Sequence, residues 1–199
     1  MKSNINLKVC IDRFIEKLLT NTDYLNGLDT AIGDGDHGDN MKAGALKLNS
    51  YIKMHIESSD NTIDDPKELF NIMSVVFLSN INGASGPLYA AAFKNMSQVW
   101  NDHSELKDVV KSGIEGIQRI GNCEVGDKTM LDVWDGVYKL LEKYELNNEN
   151  VQELVEDTKD RIAKKGRASY FGDRSIGHID PGAQSSGYFF EAMLEALKN

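Results

Sequence analysis

The sequence has few cysteines, no excess of basic residues and no long hydrophobic run. Its two cysteines, Cys10 and Cys123, lie far apart and outside any C-x-x-C spacing, so neither a zinc site nor a disulfide framework is indicated. A net charge of −9 disfavours a nucleic-acid or anionic-membrane surface, because both require a basic face. No stretch approaches the roughly 20 apolar residues of a membrane span, and the first residues lack a signal-peptide core. We therefore expect a cytoplasmic protein that binds neither nucleic acid nor membrane.

Strand-like alternation is also missing, and apolar residues recur instead at helical spacing. Leu7, Ile11 and Phe14 step by four and three residues, which places them on one face of a helix. Similar apolar stripes lie within 41–52, 69–76, 106–120, 133–144, 151–162 and 190–197. Together with the segment 88–100, these stripes predict about eight helices in an all-α protein. A chain of 199 residues can form one full-sized core, so we expect a single domain over residues 1–199.

One helix start can be placed from capping residues alone. Asp65 can cap it, Pro66 suits its first turn, and Glu68 can complete a capping box. The polar run 57–64 before this start is expected to be a solvated loop. Three other segments between helices are unlike ordinary turns, and we expect chemistry there: residues 32–40, 82–88 and 167–182.

The first of these segments holds a group of acids and glycines, namely Asp29, Asp34, Asp36 and Asp39 with Gly33, Gly35 and Gly38. Carboxylates held within a few ångström repel one another unless a cation neutralises them. Mg²⁺ suits such a loop, because it prefers carboxylate oxygen and shares its ligands with substrate phosphates. An EF-hand calcium loop is disfavoured because no Glu stands at the twelfth position. A solvated turn in which Asp39 and Asn40 cap the next helix is the structural alternative.

The other segments carry weaker signals for anion binding. Small residues at 82–88 lead into a helix, and this pattern is typical both of an anion site and of a plain turn between helices. No Walker motif follows. In the segment 126–132, Lys128 could pair with an anion, although an exposed lysine beside an ordinary helix cap is the simpler interpretation. Arg167 and Arg174 could bind phosphate or face solvent. His37 and His178 receive no catalytic role from sequence alone.

Four short motifs nevertheless occur together in a fixed order, at residues 28–38, 83–89, 126–132 and 177–183. In these motifs the chain resembles the DhaL family, the nucleotide-binding subunits of dihydroxyacetone kinases. The resemblance runs from about Leu7 to the last residue. It implies an antiparallel barrel of eight helices, with the nucleotide and the metal at one end.

The resemblance also implies a set of site residues. Two Mg²⁺ ions would be bound by Asp29, Asp34 and Asp36, whose spacing matches that of the family's aspartates. Met130 would lie against adenine and Arg167 near phosphate. The residues expected around ADP/ATP are His37, Gly38, Asp39, Asn40, Ala84, Ser85, Gly121, Thr129, Met130, Arg167, Asp180, Pro181 and Gly182. The chain departs from the family at Asp39, Asn82 and Val125, and Asp39 is left outside the metal set.

The function implied by this resemblance is phosphoryl transfer. Because the chain has only 199 residues, we expect the separate-subunit type, in which bound ADP is rephosphorylated by a DhaM-like phosphohistidine subunit. The phosphoryl group then passes to dihydroxyacetone on a DhaK-like subunit. The alternatives are a subunit that uses free ATP to phosphorylate a related short ketose, and a non-catalytic nucleotide-loaded regulator of a transcription factor. A weaker alternative is a metal-dependent hydrolase, which would turn over ATP without partners.

Overall fold

The computed structural model describes residues 5–55, 65–101 and 103–197, and in this part of the chain the fold is all-helical, as predicted. The predicted loop 57–64 lies outside the described residues. Two 3-10 segments accompany the α-helices, at Asp157–Asp160 and Arg167–Ser175. None of the described helices combines the length and the apolar character that a membrane crossing requires. The α-helices are α1 Leu7–Thr20, α2 Thr22–Ile32, α3 His37–His55, α4 Pro66–Asn80, α5 Ser85–Val99, α6 Leu106–Gly121, α7 Met130–Lys143, α8 Asn148–Glu156 and α9 Pro181–Leu197.

Helix α2 was missed by the periodicity because polar residues stand on its buried face. Its buried residues are Thr22, Leu25, Asp29 and Ile32. They keep helical spacing, but half of them are not apolar, so the stripe is broken in the sequence. The first buried hydroxyl is satisfied locally, since Thr22 Oγ1 donates to the Leu18 carbonyl oxygen at 3.0 Å.

Other helix ends show where capping and burial decide the boundary. The predicted start of α4 is confirmed, with Asp65 accepting the Lys67 N–H at 3.0 Å and Pro66 in the first turn. Helix α9 begins at Pro181, well before the predicted segment 190–197. Its first turns bury small polar residues such as Ser185 and Ser186, which carry no apolar signal. Helix α3 begins at His37, so Asp39 lies in its first turn.

Contacts between helices run around a closed ring. Helix α1 packs on α3, and further contacts join α3 to α4, α4 to α5, α5 to α6, α6 to α7, α7 to α9 and α9 back to α1. Helix α8 packs on α7 and α9, and α2 packs on α3 and α9. The eight-helix antiparallel barrel stays a prediction, and this ring supports it.

Aromatic side chains form a large part of the core inside the ring. Phe189 of α9 lies with its ring centroid 5.4 Å from Phe14, 5.3 Å from Phe93 and 5.6 Å from Trp134. These are separations at which aromatic pairs attract beyond simple area burial. Helices α1, α5, α7 and α9 are therefore tied together through one residue, and this fixes the helix ends that carry the cavity described below.

The close approach of α6 to α5 predicts a sharp effect of one methyl group. A Cβ at Gly116 would lie 2.5 Å from the Ala91 carbonyl oxygen, which can move only with its helix. We expect Gly116→Ala to lower the free energy of unfolding by about 1–3 kcal/mol. Gly27→Ala is the matched control, because it meets nothing within 4 Å and should be neutral or stabilising by up to about 1 kcal/mol. Urea denaturation measures both, and equal stability of the two variants would contradict the packing.

Candidate nucleotide and metal site

A cavity of about 610 Å³ is lined by the connections that follow α2, α4 and α6 and by the segment that leads into α9. This is the size range of small-molecule sites. All the site residues expected from the sequence line it except Gly38 and Asp39. Residues 29 and 180 are far apart along the chain, so the folded ring brings the separate motifs into one place.

Three carboxylates meet in the cavity wall. One oxygen each from Asp29, Asp34 and Asp36 lies within 4.8 Å of the others, a spacing that one ion can bridge. Asp29 is buried in the last turn of α2, whereas Asp34 and Asp36 are exposed in the turn that follows. Hard carboxylate oxygens at this spacing are the donors that Mg²⁺ takes, so these residues fit the ion.

The turn is shaped by hydrogen bonds from its own backbone to Asp29. Asp29 Oδ2 accepts the N–H of Asp36 at 2.8 Å and the N–H of His37 at 3.1 Å. Gly33 makes room for this carboxylate, because a Cβ there would lie 2.0 Å from Asp29 Oδ1. Gly35 has φ of +82°, a conformation that other residues rarely adopt. The glycines are therefore needed for the shape of this segment, residues 29–36, which is called the acid loop here.

Arg167 adds a positive charge to the acid loop. Its guanidinium donates to Asp34 Oδ2 at 3.0 Å, and its side chain is 68% exposed. Asp36 Oδ1 accepts from Asn40 Nδ2 at 2.8 Å. Because an exposed ion pair contributes little free energy, Arg167 can exchange Asp34 for another anion at small cost.

His37 connects the loop to the interior. Its Nδ1 lies 3.1 Å from Ser85 Oγ and its Nε2 lies 3.0 Å from Ser185 Oγ. Burial lowers the pKa of His37 to about 4, so its imidazole is neutral near pH 7. Ser185 Oγ is also 2.8 Å from Tyr89 Oη, within a buried chain of hydroxyl groups. Nothing in the spacing of Ser185 pointed to this contact.

Gly38 and Asp39 face α2 rather than the cavity. A Cβ at Gly38 would lie 2.0 Å from the Thr22 carbonyl oxygen, so α2 and α3 touch there. Asn26 and Asp39 hold each other twice: the Asp39 N–H donates to Asn26 Oδ1 at 3.0 Å, and Asn26 Nδ2 donates to Asp39 Oδ2 at 3.1 Å. A nucleotide contact of Gly38 and Asp39 stays a prediction, and the observed contacts are structural.

The opposite wall starts at Asp180, which caps α9. Asp180 Oδ2 accepts the Ala183 N–H at 2.7 Å, and burial raises the pKa of Asp180 to about 7. Met130, at the start of α7, is buried and lies close to Gly182, where an added Cβ would be 3.5 Å from Met130 Cβ. The lining residues that belong to none of the segments or site residues singled out in the sequence are Ile117, Ile120, Cys123, Lys165 and Gly166. Ile117 and Ile120 were assigned to a core stripe, although Ile120 is half exposed.

The simpler interpretation of Lys128 as an exposed lysine is wrong. Only 1% of Lys128 is exposed, and its Nζ donates to the carbonyl oxygens of Arg161 at 3.1 Å and Ser175 at 2.5 Å. Thr129 is the cap of α7, as expected, with Oγ1 accepting the Leu131 N–H at 3.2 Å. In the motif 126–132, Lys128 and Thr129 therefore hold neighbouring backbone groups.

Comparison with known proteins identifies the family of the chain. The DAK2 domain matches residues 31–195, most of the chain. The ADP-binding subunit DhaL of a PTS-dependent dihydroxyacetone kinase from Lactococcus lactis is 38% identical over 187 residues, 94% of each chain. The ADP-binding subunit DhaL of PEP-dependent dihydroxyacetone kinase 1 from Listeria innocua is 42% identical over 189 residues, 93% of this chain and 92% of that one. The chain belongs to the DhaL family of DAK2-domain proteins.

Solved structures share the fold. The dihydroxyacetone kinase of C. freundii in its native form gives a TM-score of 0.74 at 22% identity, and the match covers 96% of this chain but 34% of that one. A structure of the C. freundii kinase in complex with AMP-PNP and Mg²⁺ also gives 0.74, at 21% identity. At this identity the likeness concerns the fold, and it extends over nearly the whole length of this chain.

A methyl group at Gly33 should damage the acid loop while leaving the helices intact. We expect Gly33→Ala to weaken Mg²⁺-dependent ADP binding about tenfold or more, because the Asp29 carboxylate must move from its present place. Titration calorimetry at saturating Mg²⁺ measures this loss. Gly27→Ala, in α2 just before this turn and with nothing within 4 Å of the added Cβ, should bind as the wild type does. Unchanged affinity in Gly33→Ala would show that the Asp29 position is unimportant.

The raised pKa of Asp180 predicts a pH-dependent stability. Between its usual value of 3.8 and about 7, the folded chain binds more protons here than the unfolded chain. The carboxyl group therefore lowers stability increasingly as the pH rises through this window, by up to roughly 4 kcal/mol. Asp180→Asn should gain stability over the wild type at about pH 8 and much less at about pH 4.5. Urea denaturation without ligand tests this, with exposed Asp173→Asn as control. A gain independent of pH would refute it.

Proposed function

We propose that the chain is the ADP-binding subunit of a phosphoenolpyruvate-dependent dihydroxyacetone kinase. The observation that carries the proposal is the group of three carboxylates, Asp29, Asp34 and Asp36, with oxygens within 4.8 Å in the wall of a cavity large enough for a nucleotide. These residues would hold two Mg²⁺ ions between the protein and the phosphates of ADP. The two relatives described above, whose names state ADP binding, align with more than nine-tenths of this chain.

The remaining lining has the chemistry that a nucleotide requires. Met130, Ile120 and Leu88 offer apolar surface for a base, with Met130 against adenine. Arg167 supplies a forked donor for phosphate, and its present partner Asp34 is a weak competitor because the pair is exposed. The other residues proposed to surround ADP are those expected from the sequence: His37, Gly38, Asp39, Asn40, Ala84, Ser85, Gly121, Thr129, Asp180, Pro181 and Gly182.

Phosphoryl transfer demands position and charge compensation more than covalent chemistry from this chain. Mg²⁺ would neutralise the charge of the phosphates when bound. The first turn of α5 has no side-chain cap, so the backbone N–H groups of Ser85 and Gly86 are available to an anion, whereas Pro87 has no N–H. Ser85, at the start of that turn, is held by neutral His37. We propose that a DhaM-like phosphohistidine subunit supplies the phosphoryl group and that dihydroxyacetone on a DhaK-like subunit receives it.

The separate-subunit form is favoured by the pattern of similarity. Identity is 38% and 42% to the two DhaL subunits described above, and 28% to the triokinase/FMN cyclase of Mus musculus, of which the chain covers 35%. A subunit that uses free ATP for a related short ketose, a nucleotide-loaded regulator and a hydrolase remain as the competing outcomes of the test.

Retained nucleotide provides the first test. The chain is purified without added nucleotide and denatured, and the released material is identified by chromatography, for wild type, Asp34→Asn, Asp36→Asn and the exposed control Asp23→Asn. We expect near-stoichiometric ADP with magnesium from wild type and control, and at least about tenfold less from the two loop variants, because each loses a metal ligand.

The competing functions give different results. An empty wild type with weak ATP binding, unchanged in the loop variants, would refute both the metal assignment and transfer. ATP turnover by the isolated chain would indicate a hydrolase. Transfer to dihydroxyacetone from free ATP, without a phosphohistidine donor, would indicate the ATP-using type. Retained ADP without transfer to any ketose in the presence of both partner subunits would leave the regulator.

A further inference from the structure

The charged residues of the segment 126–132 hold a neighbouring loop. This loop, residues 161–175, is called the arginine loop here because it carries Arg167. It leaves α8 and its 3-10 extension, passes beside the cavity and ends before α9. Residues 165–168 of the loop line the cavity. The arginine loop therefore supplies part of the proposed nucleotide site without belonging to any α-helix.

Lys128 joins the two ends of the arginine loop. Its backbone has φ of +60°, unusual for a residue with a side chain, and its ammonium group is buried. Nζ donates to the carbonyl oxygen of Arg161, the first residue of the loop, and to that of Ser175, the last. One cation thus holds two carbonyl groups that are fourteen positions apart in the sequence. Charge-assisted hydrogen bonds of this kind are stronger than neutral ones.

Other contacts close the loop at the same place. The Arg161 guanidinium forms an ion pair with Asp132, which is buried in the first turn of α7. The Lys164 N–H donates to the Asp127 carbonyl oxygen at 3.0 Å. The Ala163 N–H donates to Ser175 Oγ at 2.9 Å, which ties the two ends directly. The loop is thus fixed at its base, and beside the exposed Arg167 it has a second contact, because Ala168 is buried against Ile32 of α2.

We propose that Lys128 is a positioning residue for Arg167. By holding the ends of the arginine loop, Lys128 keeps the guanidinium beside the acid loop, 3.0 Å from Asp34, where a phosphate would meet it. The inference rests on the proposed function for the role of Arg167, but the clamp itself rests on contacts within the chain. The competing role for Lys128 is direct contact with the nucleotide, since this residue also lines the cavity.

A double-mutant cycle separates the two roles. ADP affinity at saturating Mg²⁺ is measured by titration calorimetry for wild type, Lys128→Met, Arg167→Ala and the double variant. Hydrogen exchange of amides 163–169 is followed in the ligand-free chain. We expect Lys128→Met to weaken ADP binding about tenfold in the wild type but less than about twofold when Arg167 is absent. The loop amides should exchange faster in Lys128→Met.

An exposed lysine on α7, the helix that follows Lys128, provides the control. Lys139→Met removes an exposed lysine that pairs with Asp135 on α7, and it should change neither affinity nor loop exchange. If Lys128→Met fails to fold, Lys128→Gln serves instead, because it removes the charge and shortens the side chain while keeping an N–H donor for the two carbonyl groups. Its effects should follow the same coupling pattern with a smaller size.

Two results would overturn the proposal. If the losses of ADP-binding free energy in the two single variants add fully in the double variant, Lys128 acts on the nucleotide directly. Unchanged exchange of the loop in Lys128→Met, or in Lys128→Gln where that variant replaces it, would show that Lys128 does not hold the loop. If Arg167→Ala leaves ADP affinity unchanged, the phosphate role of Arg167 in the proposed function fails, and faster loop exchange still decides whether Lys128 holds the loop.

Discussion

The carboxylate of Asp29 accepts two backbone N–H groups, from Asp36 and His37, and the shape of the cavity depends on this contact. It turns the chain from α2 into α3 within a few residues. The turn places Asp34 and Asp36 beside Asp29 and directs the His37 imidazole inward. A buried carboxyl group without partners would be costly, and the two donated hydrogen bonds offset part of that cost.

From His37 a series of hydrogen bonds continues into the core. Ser185 and Tyr89 link the imidazole to α9 and α5, and Tyr89 Oη lies 3.1 Å from Ser186 Oγ, which accepts the Trp134 indole N–H at 3.0 Å. Every polar group in this chain of contacts has a partner, as buried polar groups require. The acid loop is thus anchored to the aromatic core, so its carboxylates keep a fixed spacing although two of them are exposed.

Much of the molecule could be predicted from the sequence where the physical signal is local. The helical class follows from apolar spacing, and the start of α4 follows from Asp65 and Pro66 because a cap involves only a few neighbouring residues. The four sequence motifs, taken together, predicted site residues, and most of these residues line one cavity in the folded chain. What no local pattern can supply is a partner far along the chain.

Helix α2 and Lys128 show why the rest was missed. The buried face of α2 includes Thr22 and Asp29, whose burial depends on hydrogen bonds that become visible only in the folded chain. Lys128 is buried because carbonyl groups more than thirty residues away surround its ammonium group. Ile120 shows the converse, because a residue in an apolar stripe faces a cavity when its helix ends there.

The cavity walls come from positions as distant as Asp29 and Gly182, and α9 supplies the last of them. No fragment that lacks α9 can therefore contain the whole site, and the site forms only when the helical ring is complete. Any ligand that contacts both walls binds the native chain and not a partly folded one, and mass action then stabilises the entire fold. A tightly retained ligand would accordingly slow unfolding and degradation, and occupancy would govern the lifetime of the protein.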